Sequence, residues 1–73
     1  VSKLDFQKQI GERIKYLRKQ RDLSQRQLAL DSNKDPQSLE RVENGKISVT
    51  VFYLKAICDG LNVSLEEFFK GIK

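Results

Sequence analysis

Helix-start signals recur along this chain at Ser24, Asp35, Thr50 and Ser64, and no segment alternates as a β-strand would. Ser24 is followed three residues on by Gln27, a capping box in which each side chain satisfies the other's free backbone N–H, with Leu23 and Leu28 placed as the flanking apolar staple. Asp35-Pro36 reads as an N-cap followed by proline at the first helical position, where the missing N–H costs nothing. Thr50 caps another helix. Ser64 and Glu67 repeat the capping-box spacing, with Val63 and Phe68 as their staple. A chain punctuated this closely folds into several short helices that must pack on one another.

The apolar spacing supplies the helices between these signals. Phe6, Ile10, Ile14 and Leu17 share one face of a first helix expected over about Phe6–Gln20, which ends before Asp22, a residue that tolerates left-handed backbone. The second helix is short because Asn33 supplies a further such position, and the third runs from Pro36 to about Asn44, ended by Gly45. Val51, Leu54, Ile57, Cys58 and Leu61 are expected on the inner face of a fourth helix, which Gly60 weakens by about 1 kcal/mol relative to alanine. Leu65, Phe68, Phe69 and Ile72 line a short fifth helix. The expectation is one all-α domain over residues 1–73, a compact five-helix bundle of low contact order that folds quickly.

Composition removes several classes. A chain of 73 residues buries only about 60% of its unfolded surface, so it needs tight packing, a staple or a partner. With no His, one Cys and no clustered ligand set, neither a metal nor a disulfide is that staple, and no cofactor is expected. Cys58 falls on an apolar helix face, where a cysteine is core rather than nucleophile. There is no nucleophile beside a base and no glycine loop to cradle phosphate, so an enzyme is not expected. The net charge of +4 and pI near 9.4 favour a polyanionic partner, although ordinary solvated domains carry a similar excess. No apolar run approaches the roughly 20 residues of a membrane span and no signal-peptide pattern is visible, which leads to an expectation of a cytoplasmic, nucleoid-associated protein with no membrane partner. The first residue is Val1 rather than Met, which leaves open whether the chain is trimmed or cut from something longer.

The stretch Ser24–Gly45 places two short helices around a turn of about three residues, the plan of a helix-turn-helix. At about 100° per residue, Leu39 and Val42 point one way while Gln37, Arg41 and Asn44 cluster opposite. Gln can bond adenine bidentately and Arg can do the same with guanine. The plain alternative is that any solvated helix face is polar.

The run SQRQLALDSNKDPQSLERVENGK resembles the helix-turn-helix of the Cro and phage-repressor family, the xenobiotic-response-element type, and the likeness extends from IGERIKYLRKQRDLSQ to the closing LNVSLEEFF. Its most specific pieces are LSQRQLA (Leu23 to Ala29) and QSLERVENG (Gln37 to Gly45). The resemblance implies a lambda-repressor-like fold and a sequence-specific regulator of double-stranded DNA. Gln37 and Arg41 then fall where the family reaches base edges in the major groove. Gln25 corresponds to a residue that touches phosphate and braces the recognition helix, and Lys46 to one that meets the sugar–phosphate backbone. Asn44 either approaches phosphate or only decorates the helix end. Glu40 either accepts from cytosine N4 or holds Arg41 or a nearby lysine in place. Glu43 leans inward, about 40° around the helix from Leu39, and its family counterpart pairs with the arginine matching Arg18. Ala29 sits where the two helices of the motif approach closely.

The chain departs from the family at Asp22 and Asn33, where glycine is usual, although both residues tolerate positive φ. Lys34 stands where many relatives are apolar. Pro36 removes a side chain that often touches DNA, leaving Gln37 and Arg41 to carry more of the specificity. Family members act as dimers on paired half-sites, so a homodimer is expected through the fourth and fifth helices, with Phe52, Phe69 and Ile72 as its surface; the competing reading is that these three only finish a small core. Two other functions compete: an antitoxin that regulates its own operator and grips a toxin, for which the chain offers little room, and a protein-interaction adaptor using the same fold without DNA. A restriction–modification controller is a subtype of similar size that nothing in the sequence selects.

Overall fold

The computed structural model describes residues 2–72, folded as α1 (Lys3–Gln20), α2 (Gln25–Asp31), α3 (Pro36–Glu43), α4 (Val51–Leu61) and α5 (Leu65–Lys70). Each helix opens on a side-chain cap. Ser24 Oγ accepts from Gln27 N while Ser24 N donates to Gln27 Oε1, the full reciprocal box. Asp35 and Thr50 accept from the backbone N–H three residues on, and Pro36 occupies the first turn of α3. The second box is only half made: Ser64 Oγ accepts from Glu67 N, but the Glu67 carboxylate meets the Ser64 hydroxyl rather than its backbone N–H. Asp22, Asn33, Asn62 and Gly45 take positive φ of 55°, 58°, 59° and 70° and turn the chain between helices. Asn and Asp pay little for this backbone, which is why two non-glycine residues serve where the family has glycine.

Three boundaries differ from expectation, and one is the end of α5: it stops at Lys70 with Gly71 as its C-cap, so Ile72 lies past the helix it is expected to line. α1 begins three residues earlier than Phe6, because Ser2 caps it by accepting from Asp5 N and the first turn is polar, invisible to a reading keyed on apolar spacing. α3 ends at Glu43, with Asn44 as its C-cap, a one-residue shift of the kind helix ends show.

The core is continuous from Ile10, Ile14 and Leu17 of α1, through Leu28, Ala29, Leu39 and Val42, to Leu54, Ile57, Cys58, Leu61, Val63 and Phe68. Phe68 is wholly buried, and a side chain of that size contributes about 1.5–3 kcal/mol by leaving water. Val51 corrects the reading of α4: it is 70% exposed, since the first turn of the helix extends past the edge of the core. Gly60 corrects it in the other direction. A Cβ there would meet Ser32 Oγ and crowd Leu28 Cδ1, so the glycine that weakens α4 as an isolated helix leaves room for the Ser32 and Leu28 side chains as they stand. A second glycine, Gly11, sets α1 directly on the backbone carbonyls of Val42 and Glu43 at the end of α3. Among the described residues, no helix is long and apolar enough to cross a membrane.

Candidate nucleic-acid interface

α3 is fixed from within and open on its outer side. Leu39 and Val42 are buried in the core, and Glu43 is 2% exposed on the same inner face. A carboxylate so deep needs partners on both oxygens. Arg18 of α1 supplies a two-point contact, Nε to Oε2 at 2.8 Å and Nη2 to Oε1 at 3.1 Å, and its Nη1 donates to Leu23 O at 2.8 Å. Gln25, at the start of α2, donates its amide to Glu43 Oε1 at 3.0 Å. One carboxylate thus joins α1, the entrance to α2 and the end of α3. The planar guanidinium matches this two-oxygen geometry, which a lysine could not reproduce.

Gln37, Glu40, Arg41, Asn44 and Lys46 are all exposed. Gln37 and Arg41 share the outer stripe of α3, one turn apart. Lys46 follows the left-handed Gly45 and is held close to the helix by its backbone N–H, which donates to Arg41 O at 2.9 Å. The structure therefore puts Asn44 and Lys46 at one end of the stripe and Gln37 near the other. Gln25 is drawn toward the Glu43 end by its bond to that carboxylate, and its amide retains a second N–H for an outside acceptor. Among the described residues Glu40 makes no ion pair, so no cation partner fixes its role.

The residues expected at a dimer surface differ in how far they are exposed. Phe52 is 86% exposed and, among the described residues, its ring stacks on no other. Phe69 stacks parallel to Phe6 with centroids 6.5 Å apart and meets Phe68 edge-on at 5.3 Å, leaving it 39% exposed. Ile72 is half-buried against the core. Phe69 and Ile72 thus serve partly to close the bundle.

Cys58 is buried, and burial, aided by the neighbouring Asp59 carboxylate, pushes its thiol up, which keeps it protonated at neutral pH. Among the described residues no cluster of acidic or sulfur ligands could hold a metal ion.

Sequence reasoning passed over two features of this site. Gly11 was legible only as a glycine interrupting an otherwise periodic helix, a pattern that can mark close packing. Tyr53 gave no signal at all: its ring lies under Lys34 Nζ, 5.0 Å from the centroid, and its hydroxyl is 3.0 Å from Ser38 Oγ. The lysine that departs from the family's apolar residue thus sets its ammonium over an aromatic face.

Comparison with known proteins agrees with this geometry. The sequence profile of the HTH_3 helix-turn-helix family matches residues 14–68, well over half the chain. This chain belongs to that family. It is 36% identical over 70 residues to the control protein C.MunI of a Mycoplasma species, covering 94% of this chain and 95% of the relative. The crystal structure of the restriction–modification controller protein C.AhdI from Aeromonas hydrophila superposes with a TM-score of 0.86 at 28% identity, covering 89% of this chain and 98% of that one. The controller protein C.Esp1396I, solved as a tetramer in complex with its natural 35 base-pair operator, gives a TM-score of 0.86 at 30% identity, covering 96% of this chain and 90% of that one.

Proposed function

We propose that this member of the helix-turn-helix family is a controller-type transcriptional regulator that binds a near-palindromic DNA operator as a homodimer, with α3 in the major groove. One observation carries the reading: α3 is anchored through Leu39, Val42 and Glu43 while Gln37 and Arg41 stand free on the opposite side. A reading helix must be rigid, because bidentate base contacts tolerate little misplacement. Gln37 and Arg41 read base edges. Gln25, Asn44 and Lys46 hold the sugar–phosphate backbone. Phe52 and Val51, at 86% and 70% exposure, give the start of α4 an apolar surface suited to a two-fold partner. Such a dimer sets two α3 helices about 34 Å apart, one turn of the duplex.

The test begins by selecting a bound duplex from random DNA and titrating it, beside a scrambled duplex, over a series of salt concentrations. The chain should prefer the selected duplex, with affinity falling steeply as salt rises. Lys46→Ala should weaken both duplexes alike and make the log–log salt slope shallower by about one, the signature of one lost phosphate contact. Equal affinity for both duplexes contradicts the proposed function, and an unchanged slope removes Lys46 from the phosphate contacts.

A further inference from the structure

Between the exposed start of α4 and the first turn of α3 runs a short chain of polar contacts that the binding residues above leave unused. Ser38 has a single hydroxyl proton, and its Oγ donates to Asp35 O at 2.9 Å. The 3.0 Å contact with Tyr53 Oη must then be a bond in which Tyr53 donates and Ser38 accepts. Asp35 is the N-cap of α3, and its carboxylate in turn accepts from Ser38 N at 3.2 Å. Tyr53 therefore ends a relay that runs from its hydroxyl through Ser38 to the main chain of the residue from which α3 starts. Successive hydrogen bonds polarise one another, so such a chain is stiffer than its separate links. The same ring carries Lys34, the residue just before that cap, over its face at 5.0 Å. Both sides of the Asp35 cap are thus tied to one side chain of α4.

We infer that Tyr53 is a positioning residue for DNA reading: through Ser38 and Lys34 it sets the angle of the first turn of α3 and so the placement of Gln37. This rests on the proposed function and adds a residue outside the two-helix motif. Leu39, Val42 and Glu43 anchor the inner face and the far end of α3, and the Tyr53–Ser38 bond adds a hydrogen-bonded tie at its first turn, ahead of those anchors. The first turn of a recognition helix is the part that faces base edges, so a shift there costs specificity before it costs stability. The tie lies next to Phe52, so the α4 turn offered to a second copy is the turn that steadies the reading helix.

Tyr53→Phe tests this, since it keeps the ring beneath Lys34 and removes only the hydroxyl that donates to Ser38. Dissociation constants for the selected and scrambled duplexes, together with the thermal midpoint of the free protein, are measured for the wild type, Tyr53→Phe, Ser38→Ala and the double variant. The expected result is a loss of about five- to tenfold on the selected duplex, the worth of one hydrogen bond, with the scrambled duplex unaffected. The double variant should lose no more than the larger single one, because both substitutions cut the same bond. A purely structural tyrosine would lower the midpoint and leave the ratio of the two constants intact, which overturns the inference. Fully additive losses in the double variant also overturn it. A wild-type chain that prefers no duplex removes the DNA reading itself and this inference with it, whereas a wild-type preference that Tyr53→Phe preserves overturns the inference alone.

Discussion

Alanine in place of Arg18 lowers the stability of the free protein by about 3–5 kcal/mol, the cost of stranding one member of a buried ion pair. The Glu43 side chain has no exposed surface, and without the guanidinium its carboxylate keeps, among the described residues, only the Gln25 amide as a partner. The reverse change is milder. With Glu43→Ala, the Arg18 side chain, already 11% exposed, can swing toward solvent while its Nη1 holds Leu23 O. Replacing the pair together by Met and Leu should recover most of the loss, since an apolar pair avoids the desolvation that the ions suffer. Urea denaturation followed by circular dichroism measures each variant. Lys19→Ala, an exposed neighbour on α1, serves as the reference and should stay within about 0.5 kcal/mol of wild type. A midpoint for Arg18→Ala no lower than that of Lys19→Ala contradicts the structural role given to the pair.

Gly11→Ala should destabilise the protein even though it improves the helix. In an isolated helix the change gains up to about 1 kcal/mol. Here the new Cβ would lie 2.6 Å from Glu43 O and closer still to Val42 O. Both are backbone atoms at the end of α3, so no rotamer change relieves them, and α1 must lift away from α3. Overpacking of this kind typically costs about 1–3 kcal/mol, more where backbone must move. Gly60→Ala offers the contrast, because the atoms it crowds are the Ser32 hydroxyl and a Leu28 methyl, both of which can turn. Gly11→Ala should therefore fall well below Gly60→Ala in denaturation midpoint. Equal midpoints would mean that α1 and α3 are not in backbone contact at Gly11.

The division of the chain into helices was readable because capping is local: Ser24 with Gln27, and Asp35 with Pro36, act through the N–H groups of the next turn and need no tertiary context. The burial of Leu39 and Val42 followed from helical period alone. Where period failed, the cause was an edge. Val51 has the correct angle for the core but no core opposite it, and Phe69 has a partner, Phe6, that no spacing within α5 could indicate. The inward lean of Glu43 came from angle, whereas its match to Arg18 came from likeness to a family. Gly11 and Tyr53 lay beyond either route, since what each meets depends on how two helices cross, and that is set by the whole core.

Whether α3 reads sequence is decided by measuring affinities for a set of operators that each differ from the selected duplex at one base pair, with the wild type, Gln37→Ala and Arg41→Ala, at fixed salt. Each good bidentate contact is worth about 1–3 kcal/mol of discrimination. Each alanine variant should therefore bind the operators that differ at its own base pair with nearly equal affinity, while keeping the wild-type preferences elsewhere. If both variants weaken binding uniformly and leave the ranking of the operators as it is in the wild type, α3 holds DNA without reading it, and the proposed recognition surface is wrong.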